Sequence, residues 1–150
     1  KETYDMVKKI KEKMKLDVVT LPFSLSDIYS KSKKIYDAGP AEFLYLIRNA
    51  ALVITDSFHA TAFSINFNKN FICLLRNRDN EANNMNSRII SILSELNLKD
   101  RLVLNENDWE NIISEPIDFV PVNDVLKKRR KKDLRFLLNS IGGDSFARIS

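Results

Sequence analysis

Two unbroken apolar runs constrain this chain most: "ALVIT" at 51–55 and "NFICLL" at 70–75. Neither alternates apolar with polar residues, as a strand with one wet face would. Both are short and bounded by polar residues, so they read as strands covered on both faces. Between them, "SFHATAFSINF" offers Phe58, Ala62, Phe63 and Ile65 or Phe67 for packing at helical spacing. Two buried strands joined by a helix describe a parallel crossover unit.

The rest of the chain extends that pattern. Residues 2–14, "ETYDMVKKIKEKM", set Met6, Ile10 and Met14 four apart with lysines between, an amphipathic helix. "LDVVTLPF", closed by Pro22, reads as a strand, "SLSDIYSKSKK" as polar loop and "KIYD" as a short strand. In "GPAEFLYLIRNA", Pro40 suits a first helical turn and Glu42 favours the N-terminal dipole. Phe43, Leu46, Ile47 and Ala50 form its apolar face. "NNMNSRIISILSELNL" is a helix with Ile89, Leu93 and Leu96 on one face, "RLVL" a strand and "NDWENII" a short helix. Strand and helix alternate throughout, so the expected class is α/β, with a doubly wound, mainly parallel sheet. A tail helix over about residues 121–141 is expected to start at a cap on Asn123 and stop at Gly142–Gly143. Val125 and Leu126 precede its basic run 127–132, while Leu134, Leu137, Leu138 and Ile141 follow it. Its ends can pack while its middle stays wet.

Length and composition then bound the function. The 150 residues fit one domain, and 44% hydrophobic with 29% charged residues is ordinary for a globular protein. Cys73 is the single cysteine, so no internal disulfide can form, and its place in "FICLL" reads as a buried small hydrophobe. No apolar stretch approaches the roughly 18 residues that span a bilayer, and no signal-peptide pattern is present. The chain opens at Lys1 inside a helical pattern, which reads as a fragment or a processed product. The expected location is cytoplasmic, with peripheral contact at the inner membrane face as a variant. The net charge of +4 suits anionic ligands but is too small to announce nucleic-acid binding.

Chemistry concentrates at Thr55-Asp56-Ser57-Phe58-His59. In an open parallel sheet, ligands bind past the carboxyl ends of the strands, where these residues fall. The next helix starts there, so its free N–H groups favour an anion. Ser57 adds a hydroxyl at the cap, and His59, the only histidine, adds a group that titrates near neutral pH. The competing reading is a plain cap by Asp56 or Ser57 and a packed, satisfied His59. Position alone does not choose. One histidine and one cysteine do not make a transition-metal site, so no metal is expected. A Ser57–His59 nucleophilic dyad lacks a nucleophile elbow. Arg76 and Arg78 follow the second strand, and Arg88 enters the next helix at its first turn. Their forked guanidiniums suit carboxylate and phosphate, against surface solvation as the plainer account. Helix-start chemistry explains Gly39–Glu42 in full. The basic run lacks interleaved aromatics and reads as a solvated face, or a contact with another lobe, ahead of a nucleic-acid or acidic-membrane patch.

"GPAEFLYLIRNAALVITDSFHATAFSINFNKNFICLLR" followed by "NSRIISILSELNLKDRLV" resembles the C-terminal half of the polysaccharide pyruvyl transferase family, most strongly over residues 39–104. The specific part is the combination of Pro-x-Glu-Phe, Asn-Ala, Asp-Ser-Phe-His and Phe-Ser. The resemblance implies one Rossmann-like lobe, residues 1–150, of a two-lobed enzyme similar to GT-B glycosyltransferases. It further implies pyruvyl transfer from phosphoenolpyruvate to a sugar hydroxyl pair of a bacterial polysaccharide, forming a ketal, with no redox cofactor. His59 matches the family's motif histidine, Ser57 and Phe58 complete the motif, and Arg88 matches a recurring arginine. Arg76 joins them as a substrate-binding candidate. Where members often carry Gly after the His, this chain has Ala60, which narrows backbone approach to a ligand. The implied partners are phosphoenolpyruvate, a glycan or lipid-linked sugar, and a missing N-terminal lobe onto which the tail helix would pack back. The isolated lobe would then be inactive. The rivals are a GT-B lobe for a nucleotide-sugar and a non-catalytic binding domain.

Overall fold

The computed structural model describes residues 2–22, 32–76, 80–105 and 107–141. In chain order the elements are α1 (Glu2–Met14), β1 (Val19–Thr20), β2 (Lys33–Lys34), α2 (Pro40–Asn49), β3 (Val53–Thr55), α3 (Phe58–Asn66), β4 (Phe71–Cys73) and α4 (Asn80–Glu95). A 3-10 turn (Lys99–Arg101), α5 (Asp108–Ser114) and α6 (Phe119–Ser140) follow. Among the described residues strand pairing is parallel. β1 pairs with β2, and β3 pairs with β4 in the register Val53–Phe71, Ile54–Ile72 and Thr55–Cys73. The protein is thus a mixed α/β structure with small parallel sheets.

The strands are shorter than the apolar runs suggest. "RLVL" contributes a single parallel bridge, Leu102 to Cys73, because the 3-10 turn occupies its first residue. "KIYD" is a strand only at its first residue, Lys34, which with Lys33 forms β2 and pairs with Thr20. Most of the polar segment 24–34 and the stop at Gly142–Gly143 lie outside the described residues.

The expectation of strands covered on both faces holds for β4, whose three residues are fully buried. Phe71 and Cys73 point into a cluster with Ile65, Ile89, Leu93, Leu96, Leu98 and Val122. Ile72 points the other way, into a cluster with Met6, Ile10, Trp109 and Ile112. The period-2 alternation of a strand divides its side chains this way. Helices α3, α4 and α6 therefore cover one face and α1 and α5 the other. Burying one such aliphatic or aromatic side chain contributes roughly 1.5–3 kcal/mol, so these two clusters hold the strand ends that position the site.

Local signals end the helices. Asn68 and Asn97 adopt left-handed backbone, φ 54° and 55°. The amides that follow close over the helix ends, Lys69 N to Ser64 O at 2.8 Å and Leu98 N to Leu93 O at 2.8 Å. Asparagine tolerates this conformation, and Leu98 adds the apolar contact back to its helix that such a stop favours. The tail helix starts earlier than a cap on Asn123 would place it. Asp118 is the cap, its carboxylate accepting from Val120 N at 3.0 Å. Pro121 is then in the first turn, where its missing N–H costs nothing.

Candidate functional site

The C-terminal ends of β3 and β4 lie side by side, and the chain leaves β3 through Asp56 and Ser57 directly into α3. Ser57 is the N-cap residue, with extended backbone (φ −96°, ψ 128°), yet its hydroxyl caps no helical N–H. Its own N–H donates to Thr55 Oγ1 at 3.0 Å, which fixes the turn. The first helical N–H bonded within α3 is that of Thr61, to Ser57 O at 3.0 Å. As at any helix start, the N–H groups ahead of it have no partner four residues back. The helix dipole adds partial positive charge there.

His59 sits in that first turn and is exposed. Its ring meets Phe58 edge-on at 5.9 Å, and among the described residues it makes no hydrogen bond or ion pair. A packed, satisfied histidine does not fit this placement. Over the face of Phe58 lies Arg88, its Cζ 4.1 Å from the ring centroid. Phe58 is half-buried and also packs on the Ile89–Leu93 cluster, so it anchors both groups to the core. Arg88 is thereby brought to the start of α3, while its guanidinium stays exposed.

Arg76 reaches the same corner but is engaged. Its Nε donates to Asp56 Oδ2 at 2.9 Å and its Nη2 to Asp56 Oδ1 at 3.3 Å, a fork on the carboxylate. Asp56 therefore neither caps α3 nor stands free. The Arg76 backbone is held as well. Its N–H donates to Asn86 Oδ1 at 3.0 Å, and its carbonyl accepts from Asn86 Nδ2 at 2.8 Å. Arg78 lies outside the described residues. At α2, Glu42 folds back until its carboxylate lies 2.8 Å from where a Gly39 side chain would begin, so helix-start chemistry accounts for that motif.

Three contacts were not legible in the sequence. Thr61 is fully buried and shares hydrogen bonds with Ser57 O (2.9 Å) and Cys73 Sγ (3.0 Å), tying the first turn of α3 to β4. Burial pushes the Cys73 thiol above its ordinary pKa, and the Asp56 charge adds to the rise. Asn86 is the second, because an asparagine that imitates a strand partner has no spacing signature. Arg101 is the third, buried and donating to Ile112 O and Glu115 O.

A model of the polysaccharide pyruvyl transferase family matches residues 3–78, just over half of the chain. The chain belongs to this family. The match begins at α1, earlier than the resemblance at 39–104, and it includes Ser57, Phe58, His59 and Arg76 but not Arg88. No curated protein and no solved structure matched. The chain carries its histidine, the Ser57 hydroxyl, Arg76 and Arg88 at one strand-to-helix corner.

Proposed function

We propose that this chain is the C-terminal, donor-side lobe of a polysaccharide pyruvyl transferase, with a doubly wound Rossmann-like core, one of two lobes in a GT-B-like enzyme. On this reading phosphoenolpyruvate binds at the start of α3. The phosphate or carboxylate lies on the first-turn N–H groups and the Ser57 hydroxyl, and Arg88, held over the Phe58 ring, supplies the opposing charge. Arg76, held by Asp56, sets the shape of the same corner. The observation that carries the reading is the exposed His59 beside a cap hydroxyl that caps nothing.

The reaction is addition followed by displacement. One sugar hydroxyl attacks the central carbon of the enolpyruvyl group while the methylene carbon gains a proton and becomes methyl. A second hydroxyl attacks the same carbon, the bond to the phosphate oxygen breaks, and the ketal closes. One hydroxyl proton balances the new C–H bond, and the other leaves with phosphate or solvent. His59 serves as the general acid at the methylene carbon, or as an imidazolium holding the leaving phosphate. The acceptor, a glycan or lipid-linked sugar of a bacterial polysaccharide, is held largely by the N-terminal lobe. The 150-residue chain alone would therefore bind donor without turnover.

An NMR titration with phosphoenolpyruvate, following the His59 imidazole and using inorganic phosphate and a UDP-sugar as controls, tests this. Shifts at His59 selective for phosphoenolpyruvate, and lost in Arg88→Ala, are expected. A preference for the UDP-sugar would replace this reading with a nucleotide-sugar site. Silence toward all three in both the chain and the two-lobed enzyme would overturn it.

A further inference from the structure

α6 is about 33 Å long at 1.5 Å per residue, and among the described residues it rests on the body through its first half. Phe119, Val122 and Leu126 pack on the core, Arg129 pairs with Glu95, and Arg130 donates to Asn66 Oδ1. Beyond Arg130 the same side of the helix continues as Leu134, Leu137 and Ile141, which are 56%, 55% and 61% exposed. At 100° per residue these three fall within a sector of about 60°. The adjoining sector of about 140° holds Lys127, Lys128, Lys131, Lys132 and Arg135, all exposed and without an ion pair among the described residues. Asp133 is the single acidic residue of this half.

We propose that the second half of α6 is a docking surface for an anionic bilayer, with the Leu134–Leu137–Ile141 stripe entering the headgroup boundary and the flanking cations meeting lipid phosphates. An apolar stripe bordered by Lys and Arg is the arrangement that lies in a membrane interface. A second copy of the chain fits less well. Pairing along the stripe would bring two sets of uncompensated cations together, and three side chains bury far less than the ~1,200 Å² of a stable interface. A nucleic acid would satisfy the cations but leave the stripe in water. No helix among the described residues is long and apolar enough to cross a membrane, so the contact is one of lying on the surface. The proposal does not depend on the pyruvyl-transfer reading, and it assigns to a membrane the half-helix that the sequence suggested for another lobe.

Vesicle flotation tests it, comparing pure phosphatidylcholine with phosphatidylcholine mixed with phosphatidylglycerol. The chain should float only with the anionic vesicles. Leu134→Ser with Leu137→Ser, and separately Lys128→Glu with Lys131→Glu and Lys132→Glu, should each weaken binding about tenfold or more. All five side chains are exposed, and circular dichroism will show whether the helix persists. Phe136→Ser is the control, since Phe136 is 74% exposed but lies across the basic face from the stripe, and binding should not change. No preference for anionic vesicles would overturn the proposal. So would binding indifferent to the leucine pair, or concentration-dependent self-association that the leucine pair abolishes and vesicles do not compete away.

Discussion

Arg101 offers a test in which two accounts of one buried charge predict different numbers. It is 5% exposed, and its Nη1 donates to Ile112 O at 3.2 Å and Glu115 O at 2.7 Å. These are carbonyls at the end of α5, where no further turn supplies a partner. Its Nε donates to Asp100 Oδ2 at 2.7 Å, and its Nη2 contacts the same oxygen. Asp100, however, is 55% exposed, so water screens that pair and its share is under about 1 kcal/mol. Losing the guanidinium strands two carbonyls, at roughly 1–3 kcal/mol each where water does not replace it. Arg101→Ala should therefore cost about 3 kcal/mol, or about 6–12 °C in Tm for a chain of this size. Asp100→Asn should cost under about 1 kcal/mol. Urea unfolding followed by circular dichroism measures both. Equal losses in the two variants would refute the reasoning, because the ion pair and not the carbonyl staple would then hold α5.

Other expectations rest on single contacts. The Cys73 thiol should resist a maleimide in the folded protein and react only once denaturant opens the core. Because its folded pKa is raised, the stability it confers is present below the unfolded thiol value of about 8.5 and lost as pH rises through the folded value. The stability gap to Cys73→Ala should narrow in alkali. Asp108 runs the opposite way. Amide donors from Asn105 (2.8 Å) and Leu104 (2.9 Å) hold its carboxyl below the ordinary range. Its contribution is therefore present above the unfolded carboxyl value and lost as pH falls through the folded one. Acid titrations of stability for the wild type and Asp108→Asn should converge at low pH. At Asn97, with φ 55°, replacement by Gly should change stability by less than about 0.5 kcal/mol, while Val should cost about 1–2 kcal/mol in thermal melts.

The strand-to-helix corner was legible because its signals are local. "ALVIT" and "NFICLL" mark the strand pair through unbroken apolarity, although only β4 is fully buried and β3 is half-buried, and the Asp56-Ser57 pair directly after the first run must fall at the strand's carboxyl end. The tail helix was legible for the same reason, but its start was not. Asn123 and Asp118 are both good caps, and only packing of Phe119 on the core selects the earlier one. Strand length was also hidden, since whether Leu102 extends a ladder or makes one bridge depends on the 3-10 turn ahead of it. At the site, residue type singled out Arg76 and Arg88 as anion-binding candidates but could not say which one an acid already holds. That difference depends on Asp56, twenty residues before Arg76, and no spacing rule connects the two.

Asn86 turns this into a last prediction. Its carboxamide makes both hydrogen bonds that a strand neighbour would make to Arg76, and Arg76 in turn holds Asp56, the residue before the Ser57 cap. Two residues further along α4, Arg88 lies over Phe58. One side chain thus registers α4 against the end of β4, and through it both arginines against the start of α3. Asn86→Ala removes two exposed hydrogen bonds and should lower stability by only about 1–2 kcal/mol. If the clamp positions the arginines, the same variant should raise the midpoint of the phosphoenolpyruvate titration at His59 about tenfold, while the protein stays folded at the temperature of the measurement. Asn86→Asp keeps an acceptor for the Arg76 N–H but loses the donor to its carbonyl, so it should fall between the two. A midpoint that stays put while stability drops would mean that α4 finds its register through Ile89 and Leu93 alone, and that the arginines owe their place to the core.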